Sequence, residues 1–341
     1  VKAIVRAKPW QGKNPPKKIL VMRFQALGDT IITLPYLQSI KRQYPEVTLH
    51  LFTRKEVNTI PNSVFLFDKI ISLGGRRNAR LQFLLALLKL PSFWSTRYDA
   101  VLDLQNHRFS RIIRKLLWTK AWAEFDRTSP IPAGERTRQT IDALWHWKIS
   151  LNTDFRFRST SGINSLLYKH GYIAGNDLII LNPAGYCSSR NWPLSSYVGF
   201  AKLWLKEKPK TQFVLLLLQT HVEKSLYIQH ELGDRCINLT GRANQIEAFQ
   251  IIQMSKFVLS EDSGLMHMAW VQGIPTLALF SSSRKDWSAP QGSWSLCLDS
   301  SDMECGTCGL EECKYHDNRC LTRYTPGFIL DKALQLISPS I

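Results

Sequence analysis

The stretch Phe257-Val-Leu-Ser-Glu-Asp-Ser-Gly-Leu-Met-His267 decides how this chain folds. Phe257 to Leu259 is an apolar run of buried-strand character. Ser260 to Ser263 is polar, and Leu265 to Val271 resumes the apolar pattern with helical spacing. Strand, short polar loop and helix make the βα step of an α/β fold. Such a step sets free N–H groups and the positive end of a helix dipole at one sheet edge, where an anion binds. Asp262 stands beside that position as a charged acceptor. A phosphate next to a carboxylate that takes hydroxyl hydrogen bonds suggests a phosphorylated sugar. The plainer reading is an N-cap, with Asp262 or Ser263 satisfying orphan N–H groups. The loop alone weighs the two equally.

Short apolar strands alternate with helical segments on both sides of this point. The first half offers Lys18–Met22, Val47–Phe52, Val64–Phe67 with Ile70–Ile71, and a strand around Ala100, with a helix over Ile31–Ile40. The second half offers Asp177–Leu181, Phe213–Leu218, Cys236–Leu239 and Thr276–Phe280. This alternation predicts mostly parallel sheets covered on both faces. Residues 126–138, with Pro130, Pro132 and Gly134, have loop composition, and Thr140–Trp147 reads as the start of a helix. Residues 81–94 are apolar around most of a helix and follow Arg80. A core helix is the simpler reading there, and a lipid-facing one the second.

A chain of 341 residues is sized for two domains. No uninterrupted apolar segment reaches the roughly 20 residues of a transmembrane helix. Val1–Lys18 is basic, but no apolar segment and cleavage site follow it, so the cytoplasm is the expected location. The net charge of +17 is uneven. Residues 1–120 hold 22 Lys/Arg against 6 Asp/Glu, a net of +16, while the remainder nets +1. Charge concentrated in this way predicts an anionic partner for the first half: nucleic acid, acidic lipid headgroups or a phosphorylated glycolipid.

Two further segments carry candidate chemistry. After the first strand comes Arg23-Phe-Gln-Ala-Leu-Gly-Asp-Thr30. Gly28 permits a tight turn or a close ligand approach, and Asp29 falls at a helix start on the carboxyl edge of the sheet. Asp29 is either an N-cap or a general base. A single Gly does not make a dinucleotide fingerprint. After Leu181 comes Asn182-Pro-Ala-Gly185, then Arg190-Asn-Trp-Pro193, on the same edge as Asp262. Gly185 permits close backbone approach, and Arg190 offers a donor fork matched to phosphate oxygens. Its alternative is a surface loop cation.

Taken together, these segments resemble the heptosyltransferase family of lipopolysaccharide assembly (glycosyltransferase family 9) over about residues 18–330. Asp99-Ala-Val-Leu-Asp-Leu-Gln105 adds to the match. The pattern Cys305-Gly-Thr-Cys308, Cys313 and Cys320-Leu321 brings the chain closest in character to members of the ADP-heptose:LPS heptosyltransferase II kind. The resemblance implies two facing Rossmann-like domains, the GT-B fold. It places an acceptor domain over 1–170, a nucleotide-sugar domain over 171–325, and a final helix, 326–341, returning to the first domain. It implies inverting transfer from ADP-heptose with no metal needed for catalysis. Asp29 matches the proposed base. Asp262 matches the carboxylate that holds the heptose. Ser263, Gly264 and His267 match the anion-binding loop and first helical turn, and Asn182, Gly185 and Arg190 complete the donor set. Arg190 stands where many members have Lys, and Asn191 where Arg is common, which leaves the donor less fixed than the reaction.

The resemblance also accounts for the charge. The implied acceptor is an anionic glycolipid, Kdo-lipid A or its heptosylated form, presented at the inner membrane surface. Arg23, Gly28, Arg76, Arg77, Arg80 and Arg108 are the acceptor candidates, and the expected location is peripheral, at the cytoplasmic face of the inner membrane. A related transferase with another nucleotide sugar or acceptor is the alternative.

Cys305, Cys308, Cys313 and Cys320 have spacing suited to structural zinc or iron. The alternative is a loop clasp of reduced thiols, and a reducing cytoplasm disfavours disulfides. A basic nucleic-acid-binding protein with a structural metal is the rival class. No helix-turn-helix or RNA-binding signature supports it, so no nucleic acid is expected.

Overall fold

The computed structural model describes residues 2–75 and 78–338. The chain forms two compact units, Val1–Arg158 and Ser159–Ile341.

The first unit has β1 (Arg6–Lys8), β2 (Lys18–Met22), β3 (Thr48–Arg54), β4 (Lys69–Leu73), β5 (Ala100–Asp103) and β6 (Ala121–Glu124) in one sheet, ordered β1-β6-β5-β2-β3-β4. Every pairing is parallel except β1 with β6. Ile19 to Met22 are all fully buried, as the central strand of a sheet covered on both faces requires. The third strand is Lys69–Leu73. Val64 makes only an isolated bridge to Phe157. The helix expected from Thr140 instead starts at Ala133, directly after Pro132, whose fixed φ suits a helix entry. Residues 81–94 form two helices, Ala79–Leu87 and Leu90–Thr96, separated where Pro91 enters at the start of the second. Ala86, Leu90 and Phe93 join the core, whereas Leu81, Leu84, Leu88 and Trp94 are exposed. The segment is therefore both core and surface.

The second unit has β7 (Asp177–Asn182), β8 (Thr211–Leu215), β9 (Cys236–Asn238), β10 (Phe257–Glu261), β11 (Thr276–Leu279) and β12 (Ser295–Leu298), ordered β12-β11-β10-β7-β8-β9. All of its pairings are parallel. Both sheets leave a notch where strand order reverses, between β2 and β5 and between β7 and β10. Ligands of open α/β sheets bind beyond the carboxyl ends of the strands at such a point.

The division falls between Arg158 and Ser159, before the helix Ile163–Lys169, which packs on Gln245–Met254 of the second unit. The last helix, Pro326–Ile337, packs on Leu194–Glu207 within the second unit. Ile329, Leu330 and Ala333 enter the same core as Phe200 and Trp204. Burying an Ile or Leu contributes about 2 kcal/mol each, which fixes the helix there. Among the described residues, no helix is long and apolar enough to cross a membrane.

Candidate active site

In the first unit, the β2/β5 notch is organised by a buried cation. Arg23 leaves the end of β2 and is only 5% exposed. Its guanidinium donates to the Leu104 carbonyl and, at 3.0 Å, to Asp29 Oδ2. Burial pulls its pKa down, and the neighbouring Asp29 and Asp103 carboxylates offset part of that. Asp29 is the third residue of the helix Leu27–Gln43. Its Oδ2 also accepts the Ala26 N–H at 2.9 Å. The capping role is therefore real, yet the side chain keeps 41% of its exposure. Gln105, after β5, accepts the N–H groups of Phe24 and Gln25 and so fixes the loop that carries Asp29. Gly28 lies inside the first helical turn and makes no separate loop.

Asp103, at the end of β5, is fully buried. Burial raises its pKa to about 6, against bonds from the Asn106 N–H and the Ser110 hydroxyl. Beyond β5 and β6 lies a cavity of about 420 Å³ lined in part by Arg6, Asn106, Arg111 and Arg127.

The acceptor candidates scatter. Arg80 and Arg108 are exposed, near the starts of Ala79–Leu87 and Arg108–Leu116. Arg76 and Arg77 lie outside the described residues. Arg23 is no surface cation: it holds Asp29. Arg111 and Arg127 were not picked out from sequence. Each is one basic residue among many in a basic half.

In the second unit, the β7/β10 notch brings most of the donor set together. Asn182 ends β7, fully buried, and its Nδ2 donates to Ser260 Oγ at 2.8 Å and Ser263 Oγ at 2.6 Å. Arg190, in the turn Ser188–Arg190, pairs with Asp262 at 3.3 Å. Gly185 is required: a Cβ there would meet the Arg190 carbonyl at 2.5 Å and Glu261 Oε2 at 2.9 Å. A Cβ on Gly264 would meet nothing within 4 Å, so the backbone there opens on free space. His267 stands apart. It is buried, and its Nδ1 accepts from Trp270 Nε1 at 3.1 Å.

Glu261, beside Asp262, was passed over in the sequence. Its fully buried carboxylate accepts the N–H groups of Gly185 and Trp192, at 2.5 and 2.6 Å, and fastens the Asn182–Trp192 loop to β10. Burial raises its pKa to about 8, although those N–H groups, Lys224 and the Tyr197 hydroxyl pull the other way. Lys224 reinforces the same loop through the Pro183 carbonyl and Asn191 Oδ1. It lies on the helix Val222–Leu232, and no local signal marks it.

Several buried polar atoms of this notch lack a protein partner: Asn182 Oδ1, Arg190 Nε, Ser281 Oγ and Ser283 Oγ. Buried groups of this kind call for water, an ion or a ligand. Ser281 and Ser283 follow β11 at the same edge. Their position after an apolar strand was a usable signal. Nearby, Cys305, Cys308, Cys313 and Cys320 line one cavity of about 20 Å³. All seven cysteines are free thiols. Among the described residues, no group of three or more His, Cys, Asp or Glu side chains stands at metal-coordinating geometry.

Comparison with known proteins adds a family and a fold class. The chain is 23% identical over 322 residues to lipooligosaccharide heptosyltransferase 2 of Campylobacter jejuni, covering 92% of this chain and 96% of that one. Its fold matches a glycosyl transferase family 9 structure from Veillonella parvula, with a TM-score of 0.76 and 17% identity, over 95% and 98% of the two chains. It also matches E. coli ADP-heptose LPS heptosyltransferase II, with a TM-score of 0.61 and 18% identity, over 94% and 98%. These neighbours place its two parallel-sheet domains in the GT-B class. The sequence profile of glycosyltransferase family 9 (heptosyltransferase) matches residues 141–318, more than half of the chain, and the protein belongs to that family of transferases.

Proposed function

We propose that the chain transfers heptose from ADP-heptose to the inner core of lipopolysaccharide, with inversion at the anomeric carbon. The observation that carries this reading is the second unit's notch. There a cation, a carboxylate and unpartnered buried donors and acceptors gather at the strand-order reversal of a family 9 fold.

Asp262 holds sugar hydroxyls. Arg190, with the N–H groups at Ser263 and Gly264, faces the diphosphate. As the C1–O bond to ADP breaks, negative charge grows on the leaving phosphate, and these donors offset it. One such donor contributes about 3–4 kcal/mol in oxyanion sites. On the acceptor side, both contacts to Asp29 fall on Oδ2. Oδ1 then takes the proton of the attacking hydroxyl as the new C1–O bond forms. Arg23 is a positioning residue, held by Leu104, that fixes the carboxylate's orientation.

The acceptor is read as an anionic glycolipid. The cavity lined by Arg6, Arg111 and Arg127 offers cations at the same sheet edge as Asp29. Exposed Leu84, Leu88, Trp94 and Trp118 supply apolar side chains for a peripheral membrane contact.

The test is incubation with ADP-heptose and either Kdo-lipid A or heptosyl-Kdo-lipid A, with products identified by mass spectrometry. A heptosylated lipid is expected from one acceptor. Neither glycolipid product nor ADP release would end this reading, and transfer only from another nucleotide sugar would replace the donor.

A further inference from the structure

The segment Asp299–Asn318 connects β12 to the short helix Arg319–Thr322 without a helix or strand of its own. A run of that length inside a compact unit needs something to hold it. Its apolar content is small, and most of its side chains are not buried. What it does contain is three cysteines, with a fourth, Cys320, just beyond.

All four cysteines line the same small cavity, together with Lys314, Tyr315, Arg319 and four serines. Its volume, about 20 Å³, admits one water or one ion and excludes any organic ligand. The backbone is shaped around it. In Cys305-Gly-Thr-Cys308-Gly309, Thr307 and Gly309 have φ of 51° and 70°. Gly306 is enforced, because a Cβ there would lie 1.6 Å from the Ser300 carbonyl oxygen. The Cys313 thiol lies 3.9 Å from Asp317 Oδ1. Left-handed non-glycine residues persist only where the surroundings over-determine them.

This segment also grips the donor loop. The Ser189 N–H and the Ser188 hydroxyl both donate to the Glu311 carbonyl at 3.1 Å. Ser189 Oγ donates to the Leu310 carbonyl at 2.6 Å, and Asn318 Nδ2 to the Ser188 carbonyl at 3.0 Å. The three gripping residues sit in the intervals between cysteines. The gripped turn, Ser188–Arg190, carries the arginine that pairs with Asp262.

We infer that Cys305, Cys308, Cys313 and Cys320 take one thiophilic divalent cation, zinc or iron, and that this cation holds the Ser188–Arg190 turn in place. Four thiolates are the ligand set such a metal prefers. Each thiol gives up its proton on binding, and the free energy of coordination becomes folding free energy of the segment. The thiols line the cavity without standing at coordination geometry, so they reach the cation by closing on it. The consequence for donor binding rests on the reading of Arg190 as a diphosphate ligand. The metal site and its hold on the turn do not.

The test uses the full chain, purified under reducing conditions. Elemental mass spectrometry is expected to find close to one zinc or iron per chain, and exchange into cobalt(II) should give thiolate-to-cobalt charge-transfer absorption. A Cys305→Ser/Cys308→Ser variant should lose the metal, and Cys236→Ala should keep it. If the double variant does not fold, chelator stripping of the unmodified chain replaces it. Amide exchange at 187–191 should then rise at least about tenfold on stripping, with 257–261 unchanged. A metal-free protein with four reactive thiols, or a stripped protein whose 187–191 amides exchange as before, overturns the inference. If loaded protein shows the exchange effect but binds no ADP, it is the donor assignment that falls.

Discussion

The two notches share a geometry and differ in what fills it. Each lies where strand order reverses, between β2 and β5 in one unit and between β7 and β10 in the other. In the first, the two terminal nitrogens of a buried arginine go to a carbonyl and to Asp29 while its Nε keeps no protein partner, and one half-exposed carboxylate is held in place. In the second, buried amide, guanidinium and hydroxyl atoms are left with unmet capacity. A satisfied, rigid carboxylate suits proton transfer. An unsatisfied polar bowl suits holding a ligand. The fold supplies the place, and the side chains assign the task.

The sharpest way to break this contrast is to disable each notch separately. Asp29→Asn keeps a cap acceptor for Ala26 but removes the proposed base. Transfer is expected to fall by about 100- to 10,000-fold with ADP affinity nearly unchanged, while thermal stability drops because the buried Arg23 loses the carboxylate that offsets its burial. Steady-state rates beside ADP calorimetry check it, and an unaltered rate removes Asp29 from the chemistry. Gly185→Ala strikes the other notch. Its methyl meets the Arg190 carbonyl and Glu261, and overpacking of this kind costs about 1–3 kcal/mol. ADP binding should weaken by about tenfold or more, and a variant binding ADP normally would show that the loop does not serve the donor.

The second notch was the more legible of the two in sequence, for a physical reason. Its function depends on residues that follow strands directly, and an apolar run ending in Asn182 or Glu261-Asp262 advertises itself. The first notch depends on how Arg23 is packed. A basic residue in a basic half gives no sign that it will be buried against Leu104. Lys224 reaches the donor loop from a neighbouring helix, which no spacing along the chain encodes. Strand β6, Ala-Trp-Ala-Glu, and strand β1 were too short to register as periodic. The final helix's apolar stripe says that it packs, not on what.

Buried carboxylates extend the comparison to pH. Asp103 in the first unit and Glu261 in the second both have folded pKa values raised by burial, to about 6 and about 8. For a raised carboxyl, the unfolded chain releases its proton first. The contribution to stability is full below the unfolded value and is lost as pH rises through the folded one. The first unit should therefore lose this contribution between the ordinary carboxyl range and about 6, and the second between that range and about 8, each levelling off above its folded value. Chemical unfolding followed by unit-resolved amide exchange checks the order. Asp103→Asn should flatten only the earlier step and Glu261→Gln only the later one. Decline that levels off at one common pH would mean that these two groups do not set the two units' pH dependence.

The smallest expected effect concerns the outer surface of the first unit. Trp118 is 77% exposed, with φ of 45°, and its ring stacks on Trp94 at 6.0 Å. Together they border a cavity that also includes Arg97 and Lys120. An aromatic pair beside cations suits the headgroup layer of an anionic bilayer, where rings sit among the acyl ends and each cation adds about 1 kcal/mol. Little packing depends on an exposed ring, so Trp118→Ser should change stability by no more than about 0.5 kcal/mol. Sedimentation with vesicles containing anionic lipid should nonetheless fall a few-fold, at high salt as well as at low, because the ring's share is not screened. Binding that ignores Trp118 but disappears with salt would assign membrane contact to the basic residues alone.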